Sequence, residues 1–358
     1  MKNPPPLFFR ETLRIARDMR ASDVHLSAGL PVALRIDGNL ERASSTPVTS
    51  EDIGDIVTHC FVESALRRLD ADGDATVTYC DDEAHVTRVH ALKGGADYAL
   101  ALRLLALEVP SLESLRLPAS AAQLIERNHG LIIVSGPTGS GKSTALAAMV
   151  DRLNRTRPKH IITIEDPIEY RHKPVKCRIT QREVGRDTPS FFAALLGSLR
   201  SDPDVLLVGE MRDRETMQAT LTAAETGHLV LCTMHTGSAS ESVDRIIGSF
   251  DGAAQIEVRG RLAESLAGVM SLRLLPRAKG SGRLAAVETL VASDAVRVAI
   301  RDAKTHHLRN IIATGRSCGM QTLEAHLSEL LQRGDVSYAT ARLAADRPDE
   351  LRAPELSA

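Results

Sequence analysis

Nine consecutive residues carry the plainest chemistry in the chain: Gly136, Pro137, Thr138, Gly139, Ser140, Gly141, Lys142, Ser143 and Thr144. Their glycines let the backbone curl so that successive N–H groups face a single anion. Lys142 is long enough to reach the outer oxygens of a polyphosphate, and the Ser143 hydroxyl is placed to ligate Mg2+. The ligand such a loop takes is ATP. A glycine-rich surface loop is the plain alternative. The flanks argue against it, because an apolar run at 131–135 leads in and a helical run at 145–153 leads out. That order of strand, loop and helix also turns the positive end of the helix toward the same phosphates.

Acidic residues supply the second half of the chemistry. Residues 204–210 read as a buried strand that ends in a glycine and Glu210. A carboxylate at such a strand end, beside the phosphate loop, can orient and activate an attacking water. Another strand, at 162–170, ends in Glu165, Asp166 and Glu169 around a proline. Three neighbouring carboxylates repel one another unless a cation neutralises them, and Mg2+, bound directly or through water, suits the place. Glu165 and Asp166 therefore join Ser143 as candidate metal ligands. A third strand, at 228–233, leads to His235. A lone histidine is commonly a packed core residue, but at this sheet edge it could sense the γ-phosphate beside Lys142 and Glu210.

These residues need a scaffold, and the 358-residue chain is long enough for two domains. Before residue 110 the pattern predicts a helix over 12–19 and strands over 24–26 and 32–36, with a turn at Asp37-Gly38-Asn39. It further predicts helices over 50–59 and 64–70 and strands over 75–79, 86–92 and 100–105. This is a small α+β domain, 1–108. Prolines mark 109–121 as a linker. From 122 to 290, short apolar runs alternate with helical patterns, as in a mostly parallel sheet wrapped by helices. The last hundred residues, and 291–358 above all, read as helical, and the final ten or so as frayed.

Composition bounds the partners. The 44 basic and 46 acidic residues give a net charge of −2, so the basic excess typical of nucleic-acid binding is absent. Aromatic residues make up 3% with no tryptophan, which leaves few platforms for stacking bases. No nucleic-acid partner is expected. No apolar run is long enough to span a membrane, and the opening MKNPPPLFF lacks signal-peptide blocks, so a cytoplasmic location is expected. Cys60, Cys80, Cys177, Cys232 and Cys318 are scattered without a C-x-x-C pair. They read as reduced, mostly buried thiols.

The stretches GPTGSGKST, ITIEDPIEY, DVLLVGEMRD and LCTMHTGSA resemble the Walker A, Asp box, Walker B and His box of the secretion and pilus ATPase superfamily. LTAAETGHLV is similar to the PilT-type branch, the retraction motors of type IV pili. The likeness extends to ASDVHLSAGLPVALRIDGNL near the start and to LLPR, GRLAAVETL and TGRSCGMQT near the end. It implies a PAS-like N-terminal domain, a RecA-like P-loop NTPase core and a helical C-terminal part. It implies a homohexameric ring in which ATP lies between domains and near a neighbouring subunit. Two arginines of the N-terminal domain would approach its phosphates, at the positions of Arg88 in TRVHAL and Arg103 in LALRLLA. Glu169 would be functionally required and Glu210 would be the Walker B glutamate.

The implied activity is ATP hydrolysis coupled to pilus retraction and twitching motility, at the inner-membrane base of the pilus. The implied partners are an inner-membrane platform protein and a paralogous retraction ATPase. Other branches carry an added N-terminal domain and often a four-cysteine zinc insertion, so cysteine spacing and length favour the retraction class. Three departures stand out. Residues 295–302 read AVRVAIRD where the branch has AIRNLIRE, RVHAL replaces RVNAF, and HTGSA replaces HTTSA. An accessory paralogue, a type II secretion or pilus-assembly ATPase and a RecA-like nucleic-acid translocase are the alternatives.

Overall fold

The computed structural model describes residues 4–36, 39–82, 85–95, 97–105, 108–280 and 282–352. The chain forms two compact units, Met1–Glu108 with Pro167–Arg171, and Val109–Asp166 with His172–Ala358.

The first unit opens with α1 (Leu7–Asp18), which buries Phe9, Leu13 and Ala16 along one stripe. The helix starts at Leu7 rather than at 12, because Phe9 extends the apolar stripe by a turn and Pro6 at the N-cap needs no hydrogen-bond donor. There follow β1 (Asp23–Ser27), β2 (Pro31–Ile36), β3 (Asn39–Pro47), α2 (Ser50–Cys60) and α3 (Glu63–Asp72). β4 (Asp74–Cys80), β5 (Val86–Gly94) and β6 (Asp97–Leu104) complete one antiparallel sheet in the order β3-β2-β1-β6-β5-β4. Alternation buries Val24, Leu26, Leu34, Val89 and Leu102 in one cluster with residues of α1, α2 and α3. Asp23, Arg88 and Arg103 occupy the intervening positions. Asp37 and Gly38, of the expected turn, lie outside the described residues, as do 353–358 of the expected frayed tail.

The second unit begins its regular structure with α4 (Ala119–Ile125), β7 (Gly130–Ser135), α5 (Lys142–Thr156), β8 (His160–Glu165), β9 (Arg178–Glu183) and α6 (Phe191–Ser198). β10 (Val205–Val208), α7 (Arg214–Glu225), β11 (Leu229–Met234), α8 (Ala239–Gly248) and α9 (Gly252–Ser265) follow. Then come β12 (Leu266–Pro276), β13 (Arg283–Val291), α10 (Asp294–Arg301), α11 (Leu308–Thr314), α12 (Leu323–Gln332) and α13 (Tyr338–Ala344). The strands make one sheet in the order β13-β12-β7-β11-β10-β8-β9, parallel except for β13. β7, β10 and β11 are buried at every position, as central strands covered on both faces must be. Residues of α4 and α5 cover one face. Residues from α6 through α11 cover the other.

The mixed α/β class expected from the sequence is the one observed. Two details differ. The last hundred residues are not simply helical, because β12 and β13 widen the sheet before the final helices. β9, the polar RITQRE, was unforeseen; an edge strand buried on few positions carries no alternating signal. Among the thiols, Cys177 and Cys232 are buried while Cys80 and Cys318 are exposed, and no disulfide forms among the described residues. No helix among the described residues is long and apolar enough to cross a membrane.

Candidate active site

Four parallel strands deliver the site. β7 ends at Ser135 in register with Met234 of β11, and Val208 of β10 lies between Cys232 of β11 and Ile164 of β8. Their carboxyl ends therefore share one edge, where open α/β sheets bind ligands. From Ser135 the chain turns into the loop at Gly136, whose φ of +142° is open to glycine but not to other residues. A side chain there would also run into the Leu272 carbonyl and come within 2.5 Å of Ser140 Oγ. Gly139 and Gly141 adopt φ of +78° and +92°, and Gly141 caps α5 directly before Lys142. Lys142 is buried, and its ammonium donates to the carbonyls of Gly136 at 2.7 Å and Pro137 at 2.9 Å. Ser143, next on the first turn of α5, is exposed.

Glu210 follows β10 and is stitched in place from both sides. Gly209 N–H donates to Ile164 O at 2.7 Å, Met211 N–H donates to Thr233 O at 3.2 Å, and the Thr233 hydroxyl donates to Gly209 O. A Cβ on Gly209 would lie 3.0 Å from Ile164 O, so a larger residue there would have to push this strand end away from β8 by a few tenths of an ångström. The Glu210 carboxylate then meets Arg212 at 2.7 Å and the His235 Nε2 at 3.3 Å. Burial pushes its carboxyl up. The Arg212 hydrogen bond and charge, with His235 and Lys142, outweigh burial and hold it below the usual range. Glu210 is thus a carboxylate at neutral pH, within the field of the loop lysine.

The acids after β8 are engaged separately. Glu165 accepts from the Thr163 hydroxyl at 2.6 Å and the Gln181 amide at 3.1 Å, while the charge of Asp166 acts on Arg212. Glu169 belongs to the first unit, where it pairs with Arg88 at 3.2 Å. Each of the three acids thus has a partner of its own, Thr163 and Gln181 for Glu165, Arg212 for Asp166 and Arg88 for Glu169. Among the described residues no three His, Cys, Asp or Glu side chains converge to hold a metal ion. Arg103, directly across β5–β6 from Arg88, pairs with Asp23 at 2.8 Å.

A P-loop on the second strand from one end of the parallel run, a carboxylate two strands away and a histidine between them suit nucleotide hydrolysis. A family model described as type II/IV secretion system protein matches residues 5–355. The chain belongs to the type II/IV secretion system protein family. It is 40% identical over 339 residues to the type IV pilus retraction ATPase PilT of Pseudomonas aeruginosa, covering 95% of this chain and 98% of that one. The type IV pilus ATPase PilU of the same organism is 35% identical over 344 residues, covering 96% and 90%. A solved structure of the pilus retraction motor PilT with bound ADP superposes with a TM-score of 0.87 at 40% identity, covering 95% and 98%. This member of the secretion family is a P-loop ATPase.

Within that family frame, the geometry adds residues the sequence did not single out. Arg212 lies inside a motif legible in sequence, two positions after Glu210, yet only the fold reveals that it grips the carboxylate. Thr233 and Gly209 fix the direction of Glu210 through contacts to main-chain groups, the Thr233 hydroxyl among them, that leave no compositional trace. The exposed Ser143 hydroxyl is accessible to an Mg2+ ion, which would be completed by nucleotide phosphate oxygens rather than by an all-protein cage.

Proposed function

We propose that this ATPase works as a homohexamer whose ATP hydrolysis drives retraction of a type IV pilus, and hence twitching motility. The observation that carries the reading is the Glu210 carboxylate, held ionised between Arg212 and His235 at the strand edge that also bears the P-loop. The likeness to PilT over nearly the whole of both chains supports the retraction role.

In this reading residues 136–144 bind the ATP phosphates through their N–H groups and the positive end of α5. Lys142 exchanges the Gly136 and Pro137 carbonyls for the β and γ oxygens. Ser143, with Glu165 and Asp166, would hold Mg2+, and the ion would supply charge neutralisation at the phosphates. Glu210 orients the attacking water and accepts its proton, and His235 senses the γ-phosphate. Arg88, kept in place by Glu169, and Arg103 add positive charge as the phosphoryl group leaves. Residues 1–108, a linker at 109–121, a core at 122–290 and a helical part at 291–358 are the working divisions. The ring sits in the cytoplasm at the inner-membrane base of the pilus, against a platform protein and alongside a PilU-like paralogue.

Deleting the gene should abolish twitching while leaving pili on the surface, and the native chain, but not a Glu210→Gln variant, should restore movement. Twitching that persists in the deletion strain refutes the role. A slowly turning accessory ring is the second reading, favoured by α10. There Arg297 and Arg301 engage the end of α9, but Val298, 44% exposed, stands where the retraction branch has asparagine. Turnover of the purified protein separates the two.

A further inference from the structure

One row of the large sheet crosses four strands. Glu288 on β13 lies opposite Ser271 on β12, Ser271 beside Ser135 on β7, and Ser135 beside Met234 on β11. The row stops one residue short of Gly136 on one strand and of His235 on another. Both Ser271 and Glu288 are buried, and both side chains meet the segment that follows His235. The Ser271 hydroxyl donates to Gly237 O at 2.9 Å, and Ala239 N–H donates to Glu288 Oε1 at 2.7 Å.

Ala239 is the first residue of α8, so its N–H has no acceptor within the helix. Glu288 supplies one from another strand and sets its charge against the positive helix end. The segment is closed internally as well, by the Thr236 and Ser242 hydroxyls at 2.6 Å and by Gly237 N–H to Glu241 at 2.6 Å. His235 is therefore fixed on one side by β11 and on the other by a turn anchored to β12 and β13. We propose that Glu288, assisted by Ser271, is a positioning residue of the ATPase reaction that sets the His235 imidazole against Glu210. The proposal rests on the reading of Glu210 and His235 given above.

A carboxyl at this place is costly to the fold. Burial pushes Glu288 up, Asp346 and Glu324 add to that, and the Ala239 N–H and Arg309 oppose it. An apolar side chain would avoid that cost but leave the Ala239 N–H without this acceptor, so what the acid secures here is the turn that follows His235.

The test compares full-length Glu288→Ala, Glu288→Gln and Ser271→Ala by steady-state ATP turnover between about pH 5 and 9, with binding of a fluorescent ADP analogue. Glu288→Ala should lower kcat by about tenfold or more, with KM and ADP binding within about threefold. The acid limb of its kcat profile should move toward neutral as Glu210 loses part of the His235 influence. Glu288→Gln, which keeps an acceptor oxygen for Ala239, should return kcat to within about threefold of the native value. Two outcomes overturn the proposal: native kcat in Glu288→Ala while Glu210→Gln is inactive, or Gln as damaging as Ala. If Glu288→Ala does not fold, Ser271→Ala decides, with a fall of about threefold or more in kcat expected and native kcat overturning the idea. Full turnover by Glu210→Gln would remove the site reading itself, and this inference with it.

Discussion

Arg88 and Arg103 stand directly opposite each other on β5 and β6, yet their guanidinium groups are held by different carboxylates, Glu169 and Asp23. Like charges in directly opposed positions destabilise a sheet unless each finds its own counterion. This pairing sets two positive groups side by side on one face of the N-terminal sheet.

If that pair serves the nucleotide, Arg88→Ala should cut hydrolysis by about tenfold or more, roughly 1.4 kcal/mol of barrier. Lysine at 88 should rescue poorly, since it lacks the planar fork that meets a carboxylate. Glu169→Gln should be similarly impaired. Because the two act as one unit, the double variant should be little worse than the weaker single one. Strictly multiplicative losses would show that Arg88 and Glu169 work apart.

Lys142→Ala should abolish both nucleotide binding and turnover, because the loop loses its long cation and the contacts that order it. Equilibrium binding of labelled ATP checks this. Native affinity in the variant contradicts the phosphate assignment.

For Glu210 the sign of the pH effect is fixed by what surrounds it. Its carboxyl is held down, so the charged form persists well into acid and turnover should fall only as pH drops through that depressed value. Arg212→Ala removes the main influence that opposes burial and leaves only His235 and Lys142 against it, so the acid limb should move up toward neutral. Glu210→Gln should bind ATP and lose hydrolysis by roughly two or more orders of magnitude. Loss of ATP binding there would reassign Glu210 to the metal or the fold.

Two loop glycines should respond differently. Gly139→Ala meets open space and carries only the left-handed backbone penalty, about 1–2 kcal/mol. Gly136→Ala must also displace the Leu272 carbonyl or Ser140, and should cost at least about 3 kcal/mol and disrupt binding. Thermal denaturation of the pair, side by side, measures the difference. Equal losses would mean the close approach of β12 is unimportant.

What was legible in the sequence was what short-range geometry encodes. The P-loop is written in consecutive residues, and Glu210 and His235 announce themselves as the polar ends of apolar strands. Register was not legible. Nothing in composition says that Ser271 falls beside Ser135, or that Glu288 falls across from Ser271, because a shift of two residues keeps every side chain on its face. Partner choice over distance was equally hidden. Glu169 looked like one of three clustered acids until the fold paired it with Arg88, distant in sequence. The Arg212 grip on Glu210 escaped for a milder reason, since an arginine two residues from a glutamate is usually only solvated surface.

The brief membership of Pro167–Arg171 in the first unit has a mechanical consequence. The backbone passes between units three times, after Glu108, after Asp166 and after Arg171. A single proteolytic nick at 108 would sever only one of three covalent tethers' worth of connection. Tension applied to the first unit is transmitted not only through the residues after 108 but also into the peptide directly behind Asp166, next to Glu165 at the tip of β8. Pulling on one unit thus loads the peptide at the end of β8, on the sheet edge that carries the candidate site.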